Sequence, residues 1–557
     1  MKIISSMLKE VYPNNYEEIV VKIKSLLKQY EKEEKGTWVS EKDVMLITYG
    51  DSLLSDKEVP LQTLKRFLDN YSEGLINNVH LLPMFPYSSD DGFSVIDYLK
   101  INKNIGTWND IKDLRENYNL MFDAVLNHIS KESEWFKEYL KGNKKYENYF
   151  IEVNPSLDYS KVVRPRALPL FHEYQSSKGI KHIWTTFSED QVDLNYKNPN
   201  VLIDMLNVLL IYAKNGAKFI RFDAVGFLWK KLGTPSIHLK ETHLLFKVMR
   251  RVLDKAYPNT IIVSETNVPH LENVSYFGKG DEAHMVYQFT LPPLVMFSVL
   301  NENTTKLLKW SKSLDDFKMY KNTTFFNFLS SHDGVGLRPI EDILTEDEKE
   351  TLYNHTINEG GKINYKNNPD GTKTPYELNI NYLNAITNKE DTNELKAKKF
   401  LAAQAILLSI KGMPAIYIHS LLGSTNYYKG VVDSGINRRI NREKLNYHNL
   451  IKELNDKTSL RYLVFNNLKK LLKVRKQIKA FNPNNDQKTI KLNNKVFSVL
   501  RKDSKNNEKV LALINVSNKV VNLNTEYKGV DLIKGIKIKN QIALNPYEYL
   551  WIEINDS

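Results

Sequence analysis

A barrel of eight parallel β-strands alternating with helices, carrying insertions at its mouth and an antiparallel β domain at its C-terminal end, is the α/β architecture this sequence predicts. Three observations lead there. Short apolar runs of strand length recur from residue 44, helical stretches separate them, and the tail from about residue 485 alternates apolar and polar residues with no helical period.

Residues 1–40 form a charged helical extension, with Val20, Val21, Ile23, Leu26 and Leu27 on one packing face and no chemistry of their own. The eight runs follow: VMLITYGD (44–51), NVHLLPMF (78–85), LMFDAVLNH (120–128), KFIRFDAVG (218–226), TIIVSETN (260–267), HMVYQFTLPP (284–293), TTFFNFLSSHD (323–333) and GMPAIYIHS (412–420). Helical patterns such as VLIDMLNVLLIYAKN, closed by Gly216, lie between them, which predicts a (β/α)8 TIM barrel over 41–484. Two connections, about 129–190 and 334–400, are long enough to build the mouth of a site. The segment 485–557 is the small antiparallel β domain.

Composition narrows the function classes. The 557 residues contain no cysteine, which excludes disulfides, zinc–thiolate and iron–sulfur sites and a cysteine nucleophile, and suits a reducing cytoplasm. The net charge of +12 comes from dispersed lysines, without zinc finger, RNP sequence or basic helix, so nucleic acid is not an expected partner. Neither a secretory signal nor a run of 18 apolar residues occurs, so no membrane is expected either. Small molecules are the expected partners; a homodimer is compatible with the chain.

Five runs carry an acid near the C-terminal end: Asp51, Asp123, Asp223, Glu265 and Asp333. In a parallel barrel those ends share the face that holds active sites, and paired carboxylates there suit glycoside chemistry. Arg221 lies two residues before Asp223, on the same strand face, and is expected to hold it ionised as a nucleophile. Glu265 emerges from Ile261, Ile262 and Val263, surroundings that favour a protonated general acid. Asp333 beside His332 is the expected transition-state stabiliser. His80, inside an apolar run, is expected to be a satisfied buried histidine, and SSDDG (88–92) a polar turn rather than a cation site; no metal and no cofactor are expected.

The motifs DAVLNH (123–128), IRFDAVG (220–226), SETN around Glu265 and SSHD ending at Asp333, with QVDLN (191–195), resemble those of the α-amylase superfamily, glycoside hydrolase family 13. Stretches including LITYGDSL, GFSVIDY, VVRPRALP and INRRINR, spread over about 42–475, resemble its sucrose phosphorylase subfamily. That resemblance implies that Asp51 and Arg438 pair to hold the far hydroxyls of a glucosyl unit. It also implies that His128, Arg221, Gln191 and His332 complete the pocket, with Phe85 as aromatic platform and Phe187 as a wall.

Three positions depart from the sucrose phosphorylase pattern: Asn267 stands in place of a histidine, Tyr98 in place of another, and Glu377 in place of a glutamine. With HLLPMFPYSSDDGFSVIDY and SETNVPHLENVSYFG they look more like the glucosylglycerate phosphorylase branch. The resemblance implies a retaining phosphorolysis that yields α-D-glucose 1-phosphate. Arg166 is suited to bidentate phosphate contact, with Tyr376 as a hydroxyl donor, while Arg164 is as well explained by loop anchoring. Lys230, Lys231 or His270 are the cations expected to meet an acceptor carboxylate. Sucrose, sucrose 6′-phosphate and glucosylglycerol as substrates, or hydrolysis and transglucosylation, are the alternatives.

Overall fold

Eight strands pair in parallel and close on themselves: β1 (Met45–Thr48), β2 (Asn78–Leu81), β3 (Asn119–Val125), β4 (Ala217–Asp223), β5 (Ile261–Ser264), β6 (Met285–Tyr287), β7 (Thr324–Asn327) and β8 (Met413–Tyr417), with β8 returning to β1. Each falls on one of the apolar runs, β3 and β4 beginning one residue ahead of theirs, and almost every strand residue is buried, as expected of a parallel sheet covered on both faces. The computed structural model describes residues 1–557 except 31, 33–35, 369–371 and 555–557.

Helices between the strands start and stop where the sequence supplies the groups. Pro199 opens the helix Pro199–Lys214 with its fixed φ, the Asn198 side chain accepts from Asn200 N–H, and Gly216 at φ +98° turns the chain into β4. The connection after β3 holds two antiparallel pairs, His128–Ser130 with Gln191–Asp193 and Phe171–Ser176 with Gly179–Trp184. That after β7 holds a three-stranded sheet in the order Val335–Gly336, Lys373–Asn379, Lys362–Asn367. Both rise from the C-terminal end of the barrel.

In the C-terminal region a six-stranded antiparallel sheet carries Trp551, fully buried, whose indole N–H donates to Ser409 Oγ at 2.9 Å. At the other end of the chain the helices Lys2–Val11 and Tyr16–Leu27 pack on the barrel's outer helices. Ile4, Leu8, Ile19 and Ile23 join the main core, and Tyr12 donates its hydroxyl to Tyr196 C=O at 2.6 Å. Leu8→Ala removes a side chain with no exposed surface and should cost about 2–5 kcal/mol. We expect a lower thermal unfolding midpoint with kcat unchanged well below that temperature; an unchanged midpoint would show that these helices add nothing to the fold.

Candidate active site

Period-two alternation puts Arg221 and Asp223 on the inner face of β4, and the parallel register sets Asp123 of β3 beside Arg221. The buried Arg221 guanidinium pairs with Asp123 and reaches Asp223 Oδ1 at 2.9 Å and Glu265 Oε1 at 3.9 Å. Beneath it, His80 Nε2 lies 2.6 Å from Asp123 Oδ2, and burial keeps that imidazole below its usual pKa. His80 is thus buried as expected but only half satisfied, since its Nδ1 has no hydrogen-bond partner among the described residues, and Asp123 supports the site from inside the barrel.

The chain turns sharply after Asp223. Ala224 sits at φ +48°, a left-handed conformation that costs a non-glycine residue about 1 kcal/mol, and its N–H donates to Glu265 Oε2 at 3.0 Å. Glu265, one residue past β5, is held by a backbone bond from its own N–H to Phe222 C=O. Burial pushes both carboxyls above the ordinary range, Asp223 further than Glu265; Arg221 pulls each back and neighbouring carboxylates push each up. The direct ion pair belongs to Asp223.

Asp333 behaves oppositely. Burial alone would raise it, but Arg438 Nη1 at 2.8 Å, His332 Nε2 at 3.4 Å and Arg442 Nη2 at 3.5 Å hold it far below the usual carboxylate range. Arg438 is fixed in turn by a two-point contact with Glu377, Nε to Oε1 at 3.0 Å and Nη2 to Oε2 at 2.6 Å. Flat against His332, at 4.7 Å and 7°, lies the Phe93 ring. Its carbonyl accepts from Gln191 at 3.3 Å and lies 3.0 Å from His128 Nε2.

These groups line one cavity of about 980 Å³ at the C-terminal face of the barrel. Among the residues singled out from sequence, Asp223, Glu265, Asp333, His128, Phe187, Gln191, Asn267, His332, Glu377, Arg438, Arg166, Tyr376 and Arg164 line it. Arg221 lies just under its floor.

Several expectations are corrected. Asp51 does not pair with Arg438: it pairs with Lys444 and lines a separate pocket, while Arg438 is taken by Asp333 and Glu377. Phe85 is no platform, being fully buried and stacked on Tyr212 at 5.0 Å. Tyr98 is buried too, and its hydroxyl donates to Val125 C=O at 2.9 Å and His128 C=O at 2.8 Å, bracing the end of β3. Lys230 is buried in an ion pair with Asp193 at 2.6 Å, and neither Lys231 nor His270 lines the cavity.

The sequence reading missed Asp90 and Phe93, and it marked Arg442 only as one of a cluster of arginines with Arg438 and Arg439. In the SSDDG turn, Asp90 and Asp91 take φ +53° and +47°, and their carboxyls share Arg442 while each also meets an arginine of its own. Asp90 faces the cavity, 2.9 Å from Arg166 and 3.7 Å from Arg442; Asp91 meets Arg439 at 2.6 Å and Arg442 at 2.9 Å. Two consecutive acids in a turn, opposite the arginine-rich INRRINR, are the signal that could have found this wall.

Phe93→Ala should raise KM for a sugar substrate, whereas Phe85→Ala should cost about 3–5 kcal/mol of stability, read as an unfolding midpoint, and leave KM unchanged. The reverse pattern would restore Phe85 as the platform. Burial lowers His128 from 6.5 to about 4 and His332 from 6.5 to about 3. The unfolded chain then binds more protons than the folded one between those values and 6.5, so stability rises with pH across this window and is lost on acidification. Unfolding midpoints from pH 4 to 7 should climb, and His128→Gln should flatten the climb.

Residues 68–349 match the family model described as "Alpha amylase, catalytic domain". The chain is 44% identical, over 99% of its length and 99% of the relative's, to a glucosylglycerate phosphorylase of Escherichia coli (strain K12). It is 49% identical, over 85% of its length and 80% of the relative's, to a glucosylglycerate phosphorylase of Spirochaeta thermophila. Among solved structures, sucrose 6F-phosphate phosphorylase from Thermoanaerobacter thermosaccharolyticum superimposes with a TM-score of 0.74 at 24% identity, covering 90% of this chain and 98% of that one, a likeness of fold. With the barrel, the acid-bearing strand ends and these matches together, the chain belongs to the α-amylase family.

Proposed function

We propose that this protein is a retaining glycoside phosphorylase that splits 2-O-α-D-glucosyl-D-glycerate with inorganic phosphate into α-D-glucose 1-phosphate and D-glycerate, reversibly, in the cytoplasm. The carrying observation is that Asp223 and Glu265 reach the two terminal nitrogens of one buried guanidinium inside a single cavity. Two glucosylglycerate phosphorylases at 44% and 49% identity supply the substrate class.

Burial raises Asp223 further than Glu265, but Asp223 alone makes the direct ion pair with Arg221, and on that contact it is the anion of the pair and attacks the anomeric carbon. Glu265, farther from Arg221, keeps the shared proton and delivers it to the departing oxygen of glycerate. The ionised Asp333, fixed by Arg438, faces the positive charge that develops on the ring. Phosphate then attacks the glucosyl ester from the vacated side, which retains the anomeric configuration. Arg166, whose guanidinium lies 5.4 Å over the Phe187 ring and pairs with Asp90 at one nitrogen, keeps donors for an anion at the cavity wall, with Tyr376 nearby.

Phosphate-dependent cleavage of 2-O-α-D-glucosyl-D-glycerate, followed by NMR, should release the α anomer of glucose 1-phosphate. Asp223→Asn should abolish turnover, and Glu265→Gln should lower kcat by about 10²–10⁴. Cleavage at equal rate without phosphate would make the enzyme a hydrolase, and release of the β anomer would overturn the double displacement.

A further inference from the structure

The glycerate leaving group of the proposed reaction presents two polar handles besides the reacting oxygen, a carboxylate and a second hydroxyl. The sequence offered Lys230, Lys231 and His270 for the carboxylate, and none of them lines the cavity. Besides Arg438, which is taken by Asp333 and Glu377, the cations that do line it stand on two walls. Arg166 comes from the connection after β3 and faces Asp90 and Phe187. Arg338 comes from the connection after β7, in a short turn Arg338–Ile340 directly beyond the strand Val335–Gly336.

The second wall is the one that carries the proton donor. A Cβ added to Gly336 would lie 2.5 Å from Asn267 Nδ2, so the loop of Arg338 packs directly on the loop of Glu265 and Asn267. Leu337 N–H donates to Tyr376 C=O at 3.0 Å, which fixes that loop to the hairpin behind it. Arg338 itself is partly exposed to the cavity, and its one ion pair, Nη2 to Glu272 Oε2 at 3.5 Å, is long and leaves the rest of its fork free of any hydrogen bond among the described residues. Beside it, Asn267 Oδ1 is buried with no hydrogen-bond partner among the described residues, an acceptor waiting for a donor. Lys366, the other cation of this wall, pairs with Glu341 at 3.3 Å and offers a point charge, not a planar fork.

Resting on the phosphorolysis reading above, we propose that Arg338 and Asn267 form the acceptor subsite, Arg338 binding the carboxylate of the departing hydroxy acid and Asn267 accepting from its free hydroxyl. A glycerate released by Glu265 leaves its oxygen on the wall where both residues stand. The incoming phosphate is met mainly from the opposite wall, so the two anions of the reaction are read by different arginines. Selection for an acid over a neutral polyol then resides in Arg338, and selection for a hydroxylated acid in Asn267.

The experiment runs the reaction in reverse, with α-D-glucose 1-phosphate as donor and either D-glycerate or its uncharged analogue glycerol as acceptor. Arg338→Gln should lower the preference for glycerate over glycerol, taken as the ratio of kcat/KM, by about 100-fold, through the KM for glycerate. Arg338→Lys should lose less of the ratio than Arg338→Gln, because charge remains while the fork is lost. Asn267→Ala should erode the preference for glycerate over the deoxy acid lactate. Slow hydrolysis of glucose 1-phosphate reports that each variant is folded. A ratio in Arg338→Gln within two-fold of the wild type, with that hydrolysis intact, would overturn the assignment. Failure of the wild-type enzyme to accept glycerate at all, with brisk transfer to another acceptor, would instead overturn the phosphorolysis reading on which it rests.

Discussion

The buried Arg221 guanidinium is the charge on which the rest of the site depends. A charged side chain inside the barrel, away from water, is costly by several kcal/mol unless it is paired. Asp123 provides that pairing, and the neutral His80 beneath Asp123 fixes the orientation of its carboxylate. Once Asp123 has matched Arg221, the two further acids that reach the same guanidinium, Asp223 and Glu265, have no second cation of their own among the described residues. Three carboxyls around one positive charge therefore retain a proton among them. The need of the proposed reaction for one anion and one acid across the scissile bond follows from that deficit of positive charge.

The opposite side of the cavity has the reverse balance. Arg438 and Arg442 both reach Asp333, and Arg438 is held by Glu377 as Arg442 is by Asp91. Here four arginines, Arg166, Arg438, Arg439 and Arg442, match the four acids Asp90, Asp91, Asp333 and Glu377, and Asp333 stays ionised well below the usual carboxylate range. Asp333 on one side and Asp223 and Glu265 on the other thus take opposite protonation habits because of the arginines behind them, not because of their own burial, which raises all three.

What the sequence made legible is what short-range geometry decides. The eight runs carry strands because apolar residues without helical period must be buried on both faces, and the alternation in Arg221-Phe222-Asp223 puts charge and nucleophile on one face in any register. Glu265 and Asp333 follow from their places after β5 and β7. The wall of the pocket was not legible in that way. Whether Asp90 or Asp51 enters the cavity depends on two successive left-handed residues in a turn, and whether Phe85 or Phe93 meets a sugar depends on where the chain leaves the barrel after β2. Both are set by packing of the long connections. The arginines of INRRINR were visible as a cluster, but their division between Asp333, Glu377, Asp90 and Asp91 is a property of tertiary contact alone.

The arrangement around Arg221 also sets how the proposed reaction can run through two steps with one acid. When Asp223 becomes a glucosyl ester it loses its charge, and Arg221 no longer shares its field with that carboxylate. Glu265, 3.9 Å from the same guanidinium and accepting from Ala224 N–H, then gains the attraction that Asp223 gives up, and the repulsion that held its proton in place is gone. Its pKa falls at the moment its proton has been passed to the leaving group, so the carboxylate is stable while phosphate replaces glycerate. Breaking the ester restores the charge on Asp223 and with it the tendency of Glu265 to take a proton back. A single arginine between two carboxyls, with a third acid below to compensate its own burial, is sufficient to drive that cycle without any further titratable group.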